Sequence, residues 1–229
     1  MKILVVAAHP DDEVLGCGGT VAGYVRKGFE AYLLHMTEGV KGRYSKDLWN
    51  SPEVRNEIMN LKKETEKAAK IIGFRKIFNC SFDDQYLDNY PFVEIVKCVE
   101  RIIKSVNPSI IFTHSIEDLN LDHVVTARAV ITAARPFTGV REIYSFEIPS
   151  STDWNPAGNF SPNVFFDITP FMDVKIKALQ AYSSEMRKFS HPRSVEGIRS
   201  LARIRGMQSS FEYAEGFTLV KFLKNLDNS

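Results

Sequence analysis

Two short polar runs in this chain carry side chains that suit one reaction. The first is His9-Pro10-Asp11-Asp12-Glu13, and the second, far downstream, is Asn120-Leu121-Asp122-His123. Imidazole and carboxylate are ordinary zinc ligands, and a hydrolytic zinc keeps a position open beside three protein ligands. His9, Asp12 and His123 supply two imidazoles and one carboxylate, with Asp11 a spare acid beside them. The same acids have a plainer use. Asp11, Asp12 and Glu13 each suit the positive end of a following helix, as a cap or as first-turn charge. One cap consumes one acid and leaves two unexplained, yet spacing alone keeps both uses open.

For the two runs to meet, the chain must bring them to one edge. Ile3-Leu4-Val5-Val6-Ala7-Ala8 follows Lys2 as an unbroken apolar run that ends at His9-Pro10. Such a run suits a strand buried on both faces, as in a parallel sheet. Ser109-Ile110-Ile111-Phe112-Thr113 repeats the pattern and runs into His114 and the second polar loop. If both strands are parallel in one sheet, their loops leave from the same edge, where open α/β sheets bind ligands.

The remaining pattern alternates. Thr20 to Lys27 has helical spacing and stops at Gly28; Glu30 to Met36 reads as a strand, followed by a loop holding Gly39 and Gly42. Ser51-Pro52 opens a helix that runs to Ile72 before Gly73. Lys76 to Cys80 reads as a short strand, Phe82 to Asp88 as a polar loop, and Pro91 to Val106 as a helix. A helix over Asn120 to Ala134 precedes strands at Glu142 to Ile148 and Val164 to Ile168, and a late edge strand at Phe217 to Phe222. Helices lie near Phe171 to Ser183 and Ser194 to Met207. The order implies a single-domain α/β fold over residues 1–229, a Rossmann-like three-layer sandwich with a mostly parallel sheet.

Gly16-Cys17-Gly18-Gly19 invites a dinucleotide site, because a glycine-rich turn between strand and helix can cradle a pyrophosphate. Here three carboxylates precede the glycines and would repel phosphate. The second strand closes on His35-Met36 and offers no acid for a ribose. No nucleotide cofactor is expected.

The His-Pro-Asp-Asp-Glu run with its Gly-Cys-Gly-Gly, together with the Asp122-His123 pair opening a helix, resembles the LmbE or PIG-L family of zinc-dependent N-acetylglucosaminyl deacetylases. Lys177 to Ser184, Arg205-Gly206 and Tyr213-Ala214-Glu215 extend the likeness over most of the chain. The resemblance implies zinc on His9, Asp12 and His123, Asp11 as general base, and an N-acetylated sugar or glycoconjugate as substrate. Many members carry a histidine where this chain has Asn120, and that histidine stabilises the oxyanion. Asparagine can donate a hydrogen bond there but cannot carry a proton. Asp122 is then free to orient a metal ligand. A metal- and sugar-binding protein with weakened turnover is the alternative. His114 could replace the missing imidazole, but more simply ends its strand with a local hydrogen bond. His35 reads as a core histidine, Asp118 as a turn residue or a metal-ligand partner, and Glu13 as first-turn charge. Ser184-Glu185 departs from the family's Ser-Gln.

A formal charge of +1 over 229 residues gives no field that would draw nucleic acid or a membrane. No run reaches the roughly 18 apolar residues of a membrane span, and the chain enters a strand at once with no leader pattern. Cys17, Cys80 and Cys98 are an odd, scattered set that suggests a reducing compartment and no disulfide frame. The expected location is the cytoplasm; assembly into a homo-oligomer is left open. Tyr44, Trp49, Tyr86, Tyr90, Trp154 and Phe160 fall in loops and suit a sugar face as well as ordinary packing. The basic stretch of Arg187, Lys188, His191, Arg193, Arg199, Arg203 and Arg205 suits either a solvated charged face or, in part, an anionic substrate group, and within it Arg199 and Arg203 share a helical face.

Overall fold

The computed structural model describes residues 1–225. Its helices are α1 (Asp12–Arg26), α2 (Pro52–Ile72), α3 (Phe92–Val106), α4 (Leu121–Ala133), α5 (Met172–Ala181) and α6 (Val195–Met207). The strands are β1 (Lys2–Ala7), β2 (Glu30–Thr37), β3 (Phe74–Phe82), β4 (Ile110–His114), β5 (Glu142–Phe146), β6 (Val164–Asp167) and β7 (Ala214–Phe222). They form one sheet in the order β3-β2-β1-β4-β5-β7-β6. The first five are parallel, and β7 runs antiparallel to both β5 and β6.

The unbroken apolar run of β1 follows from its central place. Ile3 and Val5 enter a core shared with α1, α2, α5 and α6, whereas Leu4 and Val6 enter a second core with α3 and α4. Helices on both faces make three layers, as the pattern implied. The chain winds outward from β1 through β2 to β3, then returns to β4 on the other side, so strand order reverses between β1 and β4. Crevices at such reversals are where doubly wound sheets hold ligands. His9 and Ser115 leave from that edge.

Local signals fix several boundaries. Ser51 caps α2 by accepting from Val54 N at 3.2 Å, Pro52 fills its first turn, and Gly73 ends it at φ 98. Ser194 caps α6 in the same way, through Gly197 N at 3.0 Å.

Three expectations need correction. The first helix begins at Asp12, not Thr20, and passes through the glycines with a break at Cys17 (φ −145, ψ 15). Glycine is needed there because the helix lies against the sheet: a Cβ at Gly16 would sit 2.3 Å from the Phe146 ring, and one at Gly19 would sit 2.8 Å from Ile168. The break frees donors and an acceptor. Glu215 takes Gly19 N at 3.0 Å and Thr20 N at 2.7 Å, while Lys175 Nζ donates to Leu15 O at 2.7 Å and to Glu215 at 2.6 Å. The second correction is β7, which lies inside the sheet with β6 as the edge, because its pairing partner β5 is distant in sequence. The third is Cys80 and Cys98, which form a disulfide joining β3 to α3 across a Cα separation of 6.3 Å. This overturns the argument for a reducing compartment from unpaired cysteines. Cys17 remains free and buried. Among the described residues no helix is long and apolar enough to cross a membrane.

Candidate metal centre

β1 delivers His9 to the crevice, and the turn after it is sharp. Asp11 lies in the left-handed region at φ 93, a costly conformation for a non-glycine residue. Its N–H donates to Glu13 Oε2 at 3.2 Å, and its carbonyl accepts from Val14 and Leu15. Glu13 is in turn fixed by Tyr182 Oη at 2.6 Å and His35 Nε2 at 3.0 Å. Glu13 is therefore a fully buried anchor of the turn and more than first-turn charge. His35 is buried, as expected, with Glu13 as its partner.

The three expected ligands converge. His9 Nδ1 is 3.1 Å from His123 Nε2 and 3.2 Å from Asp12 Oδ2, and His123 Nε2 is 3.3 Å from that same oxygen. Metal–ligand bonds of about 2.05 Å in tetrahedral geometry separate neighbouring ligand atoms by about 3.3 Å. The triangle thus matches one face of a zinc tetrahedron, with Asp12 Oδ1 buried beside it and lacking a hydrogen-bond partner. Electrostatics agree. Burial disfavours a charged His9 or His123, yet Asp12 and the surrounding carboxylates outweigh it and raise both imidazoles above their ordinary value. Burial likewise opposes an ionised Asp12, but His123, His114 and His9 hold its carboxyl well below the usual range.

Each imidazole is backed by acid on its outer nitrogen, an arrangement that fixes ring orientation and tautomer. His123 Nδ1 lies 3.1 Å from Asp118 Oδ1, and His9 Nε2 lies 3.1 Å from Asp122 Oδ2 and 3.2 Å from Asp84 Oδ1. Asp122 is held by the N–H groups of Gln85 and Leu87 at 2.8 and 3.0 Å. Asp118 accepts from Asn120 N at 2.8 Å, from Thr152 Oγ1 at 2.5 Å and from Ser151. Burial pushes Asp118 up, but the bonds from His123, Ser151 and Thr152 prevail and bring it to about 2. Asp118 thus serves the turn and faces His123 Nδ1 at once.

Asp11 sits beside the triangle with Oδ2 accepting from Arg193 Nη1 at 3.1 Å. Burial pushes its carboxyl up, Arg193 pulls it back, and Asp12, Glu185 and Glu13 push it up further, for a net rise to about 8. Asn120 lines the same cleft, but as the cap of α4. Its Oδ1 accepts from Asp122 N at 2.9 Å, and its Nδ2 turns toward Gln85 Oε1 at 3.4 Å. His114 does not replace the missing imidazole. It is wholly buried, accepts from Ala8 N at 2.8 Å through Nε2, and stacks on His123 at 4.0 Å. Burial, then the neighbouring His123, lowers its pKa well below the ordinary value, so it is neutral.

The cleft over these residues has a volume of about 170 Å³, and Arg43, Asp84, Gln85, Glu185 and Arg193 also line it. Of these five only Arg193 carries a sequence expectation for the site, as a member of the basic stretch suited to an anionic substrate group. Asp84 and Gln85 had a signal, because their loop follows a parallel strand at the same edge. Glu185 accepts from Arg43 Nη2 at 2.6 Å, which gives the Ser184-Glu185 departure a local partner. Of the basic stretch, Arg193 reaches the cleft, whereas Arg199 pairs with Asp173 at 2.8 Å and Arg203 lies over the Tyr213 ring. The six loop aromatics do not line the cleft either. Trp49 packs on Tyr86, and Trp154 meets His191.

These features define an α/β sandwich with a candidate His-Asp-His metal centre at its topological switch point. Residues 4–134 match the family model described as PIG-L, GlcNAc-PI de-N-acetylase, and the chain belongs to that family. It is 26% identical to a diacetylchitobiose deacetylase of Thermococcus kodakarensis, over 96% of this chain and 83% of the relative. It is 30% identical to a probable N-acetyl-alpha-D-glucosaminyl L-malate deacetylase 2 of Bacillus cereus, over 80% of this chain and 83% of the relative. A 4-oxalmesaconate hydratase of Pseudomonas putida is 26% identical, over 95% of this chain and 88% of the relative. The solved N,N'-diacetylchitobiose deacetylase of Pyrococcus horikoshii shares the fold, with a TM-score of 0.77 and 24% identity over 96% of this chain and 84% of that one. The resemblance read from sequence is borne out at the level of family and fold.

Proposed function

We propose that this chain, acting as one catalytic domain, is a zinc-dependent amidohydrolase that removes the acetyl group from an N-acetylated amino sugar or its conjugate. The observation that carries the proposal is the ligand triangle with a second acid, Asp11, at its rim and a cleft above both. His9, Asp12 and His123 would hold the metal, which supplies Lewis acidity that lowers the pKa of water and polarises an amide carbonyl. Asp118 on one side, and Asp84 with Asp122 on the other, hold the orientation of the two imidazoles through their outer nitrogens. Arg193 occupies Oδ2 of Asp11, which leaves Oδ1 for a proton. Asp11 takes that proton from water and returns it to the amide nitrogen as the C–N bond breaks, giving acetate and a free amine. Asn120 cannot share this task, so Asp11 serves as both base and acid.

Two other readings share the fold. One is a binding protein weakened by Asn120, and the other is a hydratase, suggested by the 26% identical relative. Acetate release from N,N'-diacetylchitobiose and N-acetylglucosamine conjugates by zinc-loaded protein separates the deacetylase from both. Stoichiometric zinc with no acetate from any N-acetylated sugar would reject the proposal.

A further inference from the structure

Acetyl transfer to water places negative charge on the former carbonyl oxygen, and that charge needs a fixed donor. Asn120, the residue expected there, has its oxygen in a helix cap and its amide turned to Gln85. Arg43 reaches the cleft but is neutralised by Glu185 at 2.6 Å. Arg193 differs from both.

Arg193 precedes the cap of α6 and is tied down twice. Nε donates to Ser150 Oγ at 3.0 Å, with Pro149 O at 3.4 Å, and Nη1 donates to Asp11 Oδ2 at 3.1 Å. Those contacts fix the plane of the guanidinium. Nη2 has no hydrogen-bond partner among the described residues, and the side chain, 24% exposed, lines the cleft with Asp11 and His123. A planar fork held by two of its nitrogens presents the third without further ordering, unlike a lysine ammonium on a free stem. Such a preorganised donor stabilises developing charge at little reorganisation cost.

We infer that Arg193 is a further catalytic residue, whose Nη2 donates to the substrate acyl oxygen as that oxygen gains charge. The inference rests on the deacetylase reading above. It also explains how a chain with asparagine at position 120 retains an electrostatic donor at the reacting carbon.

The test uses full-length, zinc-loaded protein, with N,N'-diacetylchitobiose as substrate and acetate as a product ligand in titration calorimetry. Arg193→Ala, assayed well below its own melting transition, should keep its zinc, lose about 10²–10³ in kcat, and change KM little. Added guanidinium should restore part of the lost rate. Arg193→Lys, which keeps the charge but not the fork, should remain at least about tenfold impaired. Acetate should bind Arg193→Ala more weakly than wild type, and by the same factor when both carry Asp11→Asn. If the acetate effect disappears in the Asp11→Asn background, Arg193 acts only by holding Asp11 and the inference fails. It also fails if kcat falls less than about fivefold in a zinc-loaded variant, or if the Lys variant is fully active. A wild type that releases no acetate would remove the functional reading and this inference together, whereas an active wild type with an unimpaired Arg193→Ala removes the inference alone.

Discussion

Replacing Lys175 with methionine should destabilise the protein severely, because Lys175 and Glu215 form a buried pair at the break in α1. Their side chains are 5% and 4% exposed and meet at 2.6 Å. Methionine preserves most of the stem volume but removes the cation, leaving the Glu215 carboxylate buried with only the two backbone donors, Gly19 and Thr20. It also leaves Leu15 O without its lysine. Breaking one side of a buried pair costs about 3–5 kcal/mol. At about 2–4 °C per kcal/mol for a chain of this length, the melting temperature should fall by roughly 6–20 °C. Adding Glu215→Gln should recover a substantial part, since the amide oxygen still accepts a backbone N–H and no charge stays buried. Thermal melts at pH 7 by circular dichroism, on single and double variants, measure both steps. A fall below about 3 °C for Lys175→Met, or a double variant as unstable as the single, would refute the claim that the pair staples the broken helix.

Asp118→Asn should weaken zinc binding about 10- to 100-fold while leaving ligand identity intact, measured by competition with a chelator. The folded pKa of Asp118, about 2, lies below its ordinary value of 3.8. Its stabilisation is therefore present above about pH 4 and lost as pH falls toward 2, on the order of 2 kcal/mol. Denaturant melts between pH 6 and pH 2.5 should show the wild type losing that increment and Asp118→Asn lacking it. Changing Cys80 and Cys98 to serine opens a bridge spanning 18 residues of sequence separation, and should cost about 3 kcal/mol in denaturant unfolding if chain entropy governs. An unchanged transition midpoint would show that the pair contributes nothing to stability. Gly16→Ala should lower expression and melting temperature, because its Cβ would fall 2.3 Å from the Phe146 ring; a normal melt would show that α1 can shift from β5.

The parts legible in sequence are those governed by local rules. The apolar runs of β1 and β4 announced buried parallel strands, and their polar continuations gave His9, Asp12 and His123, which the fold brings within 3.1–3.3 Å. Ser51-Pro52 and Gly73 marked both ends of α2 because capping chemistry is local. What was missed depends on contacts distant in sequence. The glycines of α1 read as a loop until Phe146 and Ile168 are seen pressing against them. The pairing of Cys80 with Cys98 requires β3 to lie beside α3, and the interior place of β7 requires β5. Arg193 is legible only as one member of a basic stretch; the turn before α6 is what returns it to Asp11. Arg199 and Arg203 share a helix face as expected, but the tertiary fold gives that face Asp173 and Tyr213 in place of the cleft.

The most direct test is acetate release from N,N'-diacetylchitobiose by metal-free protein titrated with zinc, with Asp11→Asn run in parallel. The account predicts no turnover without metal and a plateau near one zinc per chain. Asp11→Asn should bind zinc with the same stoichiometry and turn over about 10²–10⁴ more slowly. Turnover that persists in the metal-free protein, or that survives Asp11→Asn at near wild-type rate, would contradict a zinc hydrolase whose base is Asp11.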